Sequence, residues 1–436
     1  MPGYLPHTAL DRRLMLEAVG AADLADLFAD IPAELRLGAP PDVGDGLDEP
    51  SLFSRMGALA GACPGATAVC FAGGGYYDRY IPAAERALLG RGEFLTAYTP
   101  YQPEVSQGTL QTTFEFQTLI SELCGLPAAT AGLYDGSTAL AEAALLARAA
   151  TGRGVIVHAP GVHPEWLEVV RTYAAGPGLQ VREAGSPEEA AAAPDAAAVI
   201  VQQPDYLGRV VDVRRWLAAR PKGALGIVAA NPATLGVLEA PGRLGADLAV
   251  GEAQPVGLPL SYGGPYLGFM AARTELLRRL PGRICGQTSD GAGRRAFVLT
   301  LQAREQHIRR ARATSNVCTN QALCSLAVTI YLSLLGPSGL RRLGELCLAR
   351  AHYLAGRLAA IPGAALAFPD APFFDEFALR VPDAAAAVAG LAERGFLVGP
   401  VVDACTILVA VTERRCRADL DGLVAALGEV LGRAGA

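Results

Sequence analysis

Lysine is almost absent from this chain. Of its 37 basic residues in 436 positions only Lys222 is a lysine, and it stands in Arg220-Pro221-Lys222-Gly223, which reads as a solvent-facing turn. Chemistry that needs a lysine amine inside a site is excluded unless it uses Lys222 or another chain, because arginine cannot form a Schiff base. An alanine- and leucine-rich composition with arginine in place of lysine is that of a GC-rich genome, which explains part of the shortage but not the loss of a catalytic amine. A basic stripe is missing too: the formal charge of −6 is spread along the chain, which argues against nucleic acid as a partner. The nine cysteines form neither a CxxC pair nor a Cys/His cluster, so no metal site is read and the odd count suggests reduced, cytosolic thiols. No apolar run reaches the roughly 20 residues that span a bilayer, and Met1-Pro2-Gly3-Tyr4 opens neither a charged nor an apolar leader. The expectation is a soluble cytoplasmic protein without a membrane partner.

What is present is core. Apolar residues make up 51 % and charged residues 18 %, with mean hydropathy +0.28, a composition that buries surface across roughly two to three domains. Leu10, Leu14, Val19, Leu24, Leu27 and Phe28 recur at near-helical spacing, and Thr8 with Asp11 supplies a cap, so residues 8–37 read as helical. Residues 38–50, rich in Pro, Gly and Asp, read as a loop, and the whole of 1–95 as an N-terminal arm with a helical segment. From 96 to 320 the pattern alternates. Val155-Ile-Val-His158, Ala198-Val-Ile-Val-Gln202, Leu225-Gly-Ile-Val-Ala229 and Asp247-Leu-Ala-Val250 are short runs polar on neither face, as a parallel sheet covered by helices requires. They predict a doubly wound α/β domain with its ligand at the C-terminal strand ends. Helical stretches at 320–336 and 338–360, strands at 374–381 and 406–411 and a last helix at 419–431 predict a small α+β domain over 321–436.

Four segments concentrate polar or glycine residues. Residues 96–109 place Tyr98, Tyr101, Gln102, Glu104 and Gln107 on a backbone stiffened by Pro100 and Pro103, a site-lining segment rather than a plain surface loop. Tyr134-Asp-Gly-Ser-Thr-Ala139 opens a helix at Gly136, and Ser137, Thr138 and the free N–H groups of its first turn would form an anion cup. Residues 251–265 come directly after the strand at 247–250. Enzymes of this architecture that use pyridoxal phosphate keep their Schiff-base lysine in that stretch, and here Gln254 lies at about that offset. Upstream, Asn231 stands where such enzymes place an aspartate that keeps the pyridine nitrogen protonated. In the fourth segment, Arg304, Arg309, Arg310 and Arg312 beside Thr314, Ser315, Asn316 and Thr319 make either an anion site or a solvated helix end. His158, His163 and His307 stand alone and read as structural.

Taken together, these segments resemble the alpha subunit, or N-terminal half, of the glycine cleavage system P-protein, glycine dehydrogenase (aminomethyl-transferring, decarboxylating). The resemblance is carried by Tyr4-Leu-Pro-His-Thr8, Leu27-Phe-Ala-Asp-Ile-Pro32, the run Gly92–Gly108, Tyr134-Asp-Gly-Ser-Thr-Ala139, Gly257-Leu-Pro-Leu-Ser-Tyr-Gly-Gly-Pro-Tyr-Leu-Gly268 and the run Arg294–Arg310. It departs from the family pattern at Arg79, where a histidine is expected, and at Asn231.

The resemblance implies the pyridoxal-phosphate transferase fold type I, aspartate-aminotransferase-like, and a chain without its own cofactor lysine. Pyridoxal phosphate would be bound covalently by a separate beta subunit, with the two chains pairing as an alpha–beta dimer or an alpha2–beta2 tetramer. Glycine would lose its carboxylate, and the aminomethyl group would pass to the lipoyl arm of H-protein. Ser315, Asn316 and Thr319 are then candidates for a phosphate contact in trans, and Tyr98, Tyr101, Gln102, Glu104 and Gln107 for lining the partner's site. Glu104 fits either a general base or a structural hydrogen-bond acceptor. A stand-alone aminotransferase-like enzyme using Lys222 and a non-catalytic scaffold are the competing readings.

Overall fold

The computed structural model describes residues 6–39, 41–95, 98–318 and 321–434. Two compact units are present, Met1–Cys63 and Pro64–Ala436.

The first unit has no buried residue among those described. Thr8 and Asp11 form the expected capping box on the helix Ala9–Val19, with Thr8 N donating to Asp11 at 2.7 Å. That helix ends at Gly20, whose φ of 73° is the left-handed stop that glycine allows. The predicted continuation to residue 37 does not form. Asp23 and Asp26 turn their carboxylates onto the backbone N–H groups of Ala22, Ala25 and Asp26, which favours short turns over helix. A second helix, Glu49–Gly61, starts at the edge of the predicted loop and is capped by Asp48, which accepts from Ser51 N at 2.9 Å. Leu10, Leu14, Phe28, Leu35, Phe53 and Met56 all remain exposed.

The second unit is built on a seven-stranded sheet in the order β2-β8-β7-β6-β5-β3-β4. Its strands are β2 (Ala128–Ala129), β3 (Val155–His158), β4 (Gln180–Glu183), β5 (Ala196–Gln203), β6 (Leu225–Ala230), β7 (Leu248–Glu252) and β8 (Gly268–Ala272). Strands β3 to β7 run parallel, while β8 is antiparallel to β7. Every residue of β3, β6 and β7 is buried, which is why these runs carry no alternating polar face. The helices Gly136–Thr151 and Pro164–Ala175 cover one face through Leu140, Leu146, Leu167 and Val170; Val199, Val213, Leu217 and Val228 pack on the other.

The helix Ala322–Leu358 contains a break at Gly336, with φ 60° and ψ −179°, followed by Pro337. The two helical stretches read from the sequence are therefore two helices that meet at a kink. By length and composition this helix could cross a membrane, yet Cys324, Ala327, Val328, Tyr331 and Leu332 are buried against Phe116, Ile120 and Phe269. Its second half packs Ala351, Leu354 and Leu358 into the C-terminal core. There β11 (Ala365–Leu366), β12 (Glu376–Arg380), β14 (Val401–Asp403) and β15 (Thr406–Ala410) form an antiparallel sheet backed by the helix Arg417–Ala434. The N-terminal strand β1 (Val69–Ala72) pairs in parallel with β13 (Phe396–Gly399), so residues 64–95 belong with this unit rather than with residues 6–63.

Candidate active site

The parallel strands bring three loops to one end of the sheet: Asn231 after β6, Gln254 after β7, and the N-terminus of the helix Gly136–Thr151. An α/β sheet of this kind binds its ligand there. Lys222 precedes β6 and so lies at the opposite end, exposed, its carbonyl accepting from Arg153 at 2.8 Å.

Each position at the site end is filled by the chain itself. Gln254 is fully buried, and its amide is saturated: Oε1 accepts from Tyr77 N at 2.9 Å, while Nε2 donates to the carbonyls of Tyr77 and Leu258 at 2.9 and 2.8 Å. Asn231 accepts from Ala233 N at 3.0 Å and caps a short turn. The anticipated anion cup is closed. Glu252, the last residue of β7, sends Oε2 to Gly136 N at 3.0 Å, and its Oε1 accepts from Gln254 N at 2.9 Å and Leu267 N at 3.0 Å. Ser137 and Thr138 face inward on Asp135, which accepts from the Ser137 hydroxyl at 2.6 Å and from Thr138 N at 2.8 Å. A Cβ on Gly136 would lie 2.4 Å from the Trp166 ring, so that ring too is pressed against the helix start. A cleft lined by His163, Trp166, Tyr206, Asn231 and Glu252 remains at this end of the sheet.

His163 is structural, as expected. Its Nδ1 accepts from Glu165 N at 3.2 Å, and Nε2 donates to Gly74 O at 2.9 Å, with the ring stacked on Trp166. Burial lowers its pKa and keeps it neutral.

The segment from residue 98 meets the fourth segment in space. Tyr101 sets its ring edge-on to His307 with centroids 5.9 Å apart, and the Arg283 guanidinium lies 5.7 Å from the Tyr101 centroid. Tyr98, Gln102 and Glu104 are exposed. Gln107 is not free to line a site. Its amide donates to Pro103 O and Phe297 O at 2.7 and 2.9 Å and accepts from Phe297 N at 2.9 Å, tying the segment to β10 (Arg295–Thr300) of the hairpin it forms with β9 (Ile284–Ser289). Ser315 is half-buried, and its side-chain oxygen accepts from Val317 N at 3.1 Å. Thr314 and Asn316 are exposed, and Thr319 lies outside the described residues.

Four buried glutamates, Glu85, Glu142, Glu252 and Glu376, have their carboxyl groups pushed up to about 7 by desolvation. Glu85 is the simplest, buried with Oε2 lacking a partner among the described residues. Its folded pKa lies above the unfolded one, so its contribution is present below about pH 4.5 and is lost as pH rises through about 7. Glu85→Gln should therefore raise stability by about 2–3 kcal/mol at pH 8 and leave it unchanged at pH 4. Urea unfolding at the two pH values checks this; equal gains at both would refute the titration.

Comparison with known proteins decides the family. The family model described as glycine cleavage system P-protein matches residues 2–427. The chain belongs to the glycine cleavage system P-protein family. A probable glycine dehydrogenase (decarboxylating) subunit 1 of Desulforamulus reducens is 47 % identical over 444 residues, covering 98 % of this chain and 99 % of that one. The crystal structure of a glycine decarboxylase (P-protein) in inhibitor-bound form is similar at TM-score 0.90 and 45 % identity, covering 98 % of this chain and all of the other. An aspartate aminotransferase of Thermus thermophilus, at TM-score 0.57 and 19 % identity over 84 % of this chain and 99 % of its own, shares the fold alone. The P-protein chain thus has the fold type I architecture of pyridoxal-phosphate enzymes, as its sequence predicted.

Within that P-protein fold, the residues that fill the site were not all apparent in the sequence. Glu252 was missed, although an acid closing an otherwise apolar strand two residues before Gln254 was a signal.

Proposed function

We propose that this chain is the lysine-free subunit of a two-chain glycine dehydrogenase (decarboxylating), acting in the glycine cleavage system by completing a site whose pyridoxal phosphate is bound by the other subunit. The filled cofactor position carries this reading. With Gln254 saturated, Glu252 on the Gly136 N–H and Asn231 in place of an acid, the chain offers neither an amine nor an open phosphate cup, and the cofactor does not fit it.

Pyridoxal phosphate on the partner supplies the electron sink for decarboxylation. What this chain contributes is orientation and water exclusion. Tyr98, Tyr101, Gln102 and Glu104 stand on a segment that Gln107 and Arg283 anchor, and Asn316 is the outward amide of the loop at 314–318, with Thr319 next in sequence after it. The aminomethyl group then passes to the lipoyl arm of H-protein, whose disulfide is reduced. An alpha–beta pair, single or doubled, needs an obligate interface upwards of about 2,000 Å². The exposed leucines and phenylalanines of residues 6–63, which have no core of their own, support such a surface. The cytoplasm is the expected compartment.

The test uses the separate chains and the reconstituted pair. The purified chain incubated with pyridoxal phosphate and desalted should show no cofactor absorbance near the visible edge. Adding the lysine-bearing subunit should restore both absorbance and glycine–bicarbonate exchange. Asn316→Ala should then weaken cofactor retention by the pair about tenfold, the scale of one hydrogen bond to a charged group. Cofactor absorbance from this chain alone, abolished by Lys222→Ala, would overturn the proposal.

A further inference from the structure

The connection from β7 to β8 lies at the same end of the sheet as Gln254 and Asn231, because β8 returns antiparallel to β7. Its two roots are tied down by residues that fill that end. Gln254 Nε2 donates to Leu258 O at 2.8 Å, and Glu252 Oε1 accepts from Leu267 N at 3.0 Å. Between the roots the chain makes a tight turn, in which Gly263 N donates to Leu260 O at 3.4 Å and Gly264 N to Ser261 O at 3.2 Å. Ser261 and Tyr262, at the centre of that turn, have φ of 46° and 53°. Asn, Asp and Gly normally take such positions, because a Cβ in the left-handed region crowds the backbone. Only four non-glycine residues among those described have positive φ, and two of them adjoin here. The turn is braced from behind: the Tyr266 hydroxyl donates to Leu260 O, and the Tyr266 ring stacks on Tyr76 with centroids 4.5 Å apart. At its tip the Tyr262 side chain is wholly exposed and makes no hydrogen bond or ring contact among the described residues. Pro259 and Leu260, just ahead of it, line a cleft with Tyr80, a second exposed aromatic.

We propose that Tyr262 is a docking anchor for the lysine-bearing subunit, held out on a strained turn so that its ring enters a pocket on that chain. The inference rests on the reading that the two chains meet at this end of the sheet. A backbone outlier that serves no contact within its own chain points to a function outside it. Tyrosine suits the task, since it carries a large rigid contact area with few rotatable bonds and is enriched among the residues that dominate interfaces. A turn already fixed in one shape loses little freedom on docking.

Competition tests it. The unaltered chain and a variant, carrying different terminal tags, are mixed with a limiting amount of the lysine-bearing subunit, and the captured pairs are counted. Tyr262→Ala and Tyr262→Gly should be out-competed about thirtyfold, the scale of one interface hot spot. Tyr262→Phe keeps the ring and should compete almost equally. In the lone chain the order reverses: Tyr262→Gly and Ser261→Gly should both unfold at a higher midpoint than the unaltered protein, because glycine takes positive φ without strain. Ser261→Gly should still compete equally, since the ring stays in place. Equal competition by Tyr262→Ala overturns the anchor. So does a defect confined to the reaction with H-protein, which would assign the ring to that protein instead. A midpoint unraised in both glycine variants overturns the claim that stability is given up to present the ring. Failure of the unaltered chain to capture any lysine-bearing subunit is a different result, and it sinks the two-chain reading itself.

Discussion

Replacing Arg79 by alanine is expected to cost the fold about 3–5 kcal/mol, a large share of what holds a chain of this size together. The side chain is fully buried. Its Nη2 donates to Asp375 at 2.6 Å, and Nη1 donates to Glu413 at 2.9 Å and to Cys347 Sγ at 3.1 Å. Three separate parts of the second unit converge on this guanidinium: the loop that begins at Gly73, the long helix through Cys347, and the C-terminal sheet through Asp375. Glu413 also accepts from Tyr80 N at 2.7 Å, so the network holds backbone as well as charge. Removing the cation strands the buried Asp375 carboxylate beside the part-buried Glu413, which costs far more than the pair contributes when intact. Burial already pushes the Asp375 carboxyl up, and only Arg79 opposes that shift strongly. Chemical unfolding of Arg79→Ala should therefore show a much lower midpoint, and Arg79→Leu combined with Asp375→Leu should recover part of the loss, since the second substitution removes a stranded charge. Arg79→His, the residue that the family resemblance leads one to expect, reaches fewer acceptors and should fall between. A midpoint for Arg79→Ala within about 1 kcal/mol of the unaltered chain, by the usual scale for surface changes, would refute the hub.

That hub marks a limit of what a sequence displays. Arg79 is visible as a departure, but Asp375 and Glu413 lie 296 and 334 residues further along, and nothing local announces such a pairing. Elements set by local chemistry are legible. The continuous apolar runs at 198–202 and 225–229 could only be buried strands, and Gly336-Pro337 had to interrupt a helix. The arm departs from its periodicity where side chains compete for the backbone, at Asp23 and Asp26. At the site, offsets from the strand ends are enough to find Gln254 and Asn231, because strand register fixes the positions immediately beyond each strand end. Hydrogen-bond direction is not available from spacing. Gln107 reads as a lining residue and is an anchor on β10; Ser315 reads as an outward donor, and its oxygen accepts from the backbone N–H of Val317. A polar residue in a polar segment announces chemistry but not which way it points.

Glu252→Ala should be the most damaging single change at this end of the sheet, with a loss of about 3–5 kcal/mol. The carboxylate is the acceptor for three backbone N–H groups, those of Gly136, Gln254 and Leu267, at 2.9–3.0 Å. Alanine strands all three, and a buried donor without a partner costs about 1–3 kcal/mol before any water enters to relieve it. Glu252→Gln keeps one good acceptor but must turn its NH2 toward one of the donors, so it should lose about 1–2 kcal/mol. The loss at Gly136 has a further consequence, because that N–H belongs to the first turn of a helix and carries its partial positive charge. With the carboxylate gone, an anion in solution can take its place. Inorganic phosphate should then raise the unfolding midpoint of Glu252→Ala in proportion to the logarithm of its concentration while leaving the unaltered chain unaffected. If phosphate stabilises both proteins equally, Glu252 is not what closes the cup. If it stabilises only the variant, this end of the sheet is closed twice over: Gln254 provides no amine for a Schiff base, and Glu252 holds the Gly136 N–H that an anion would take.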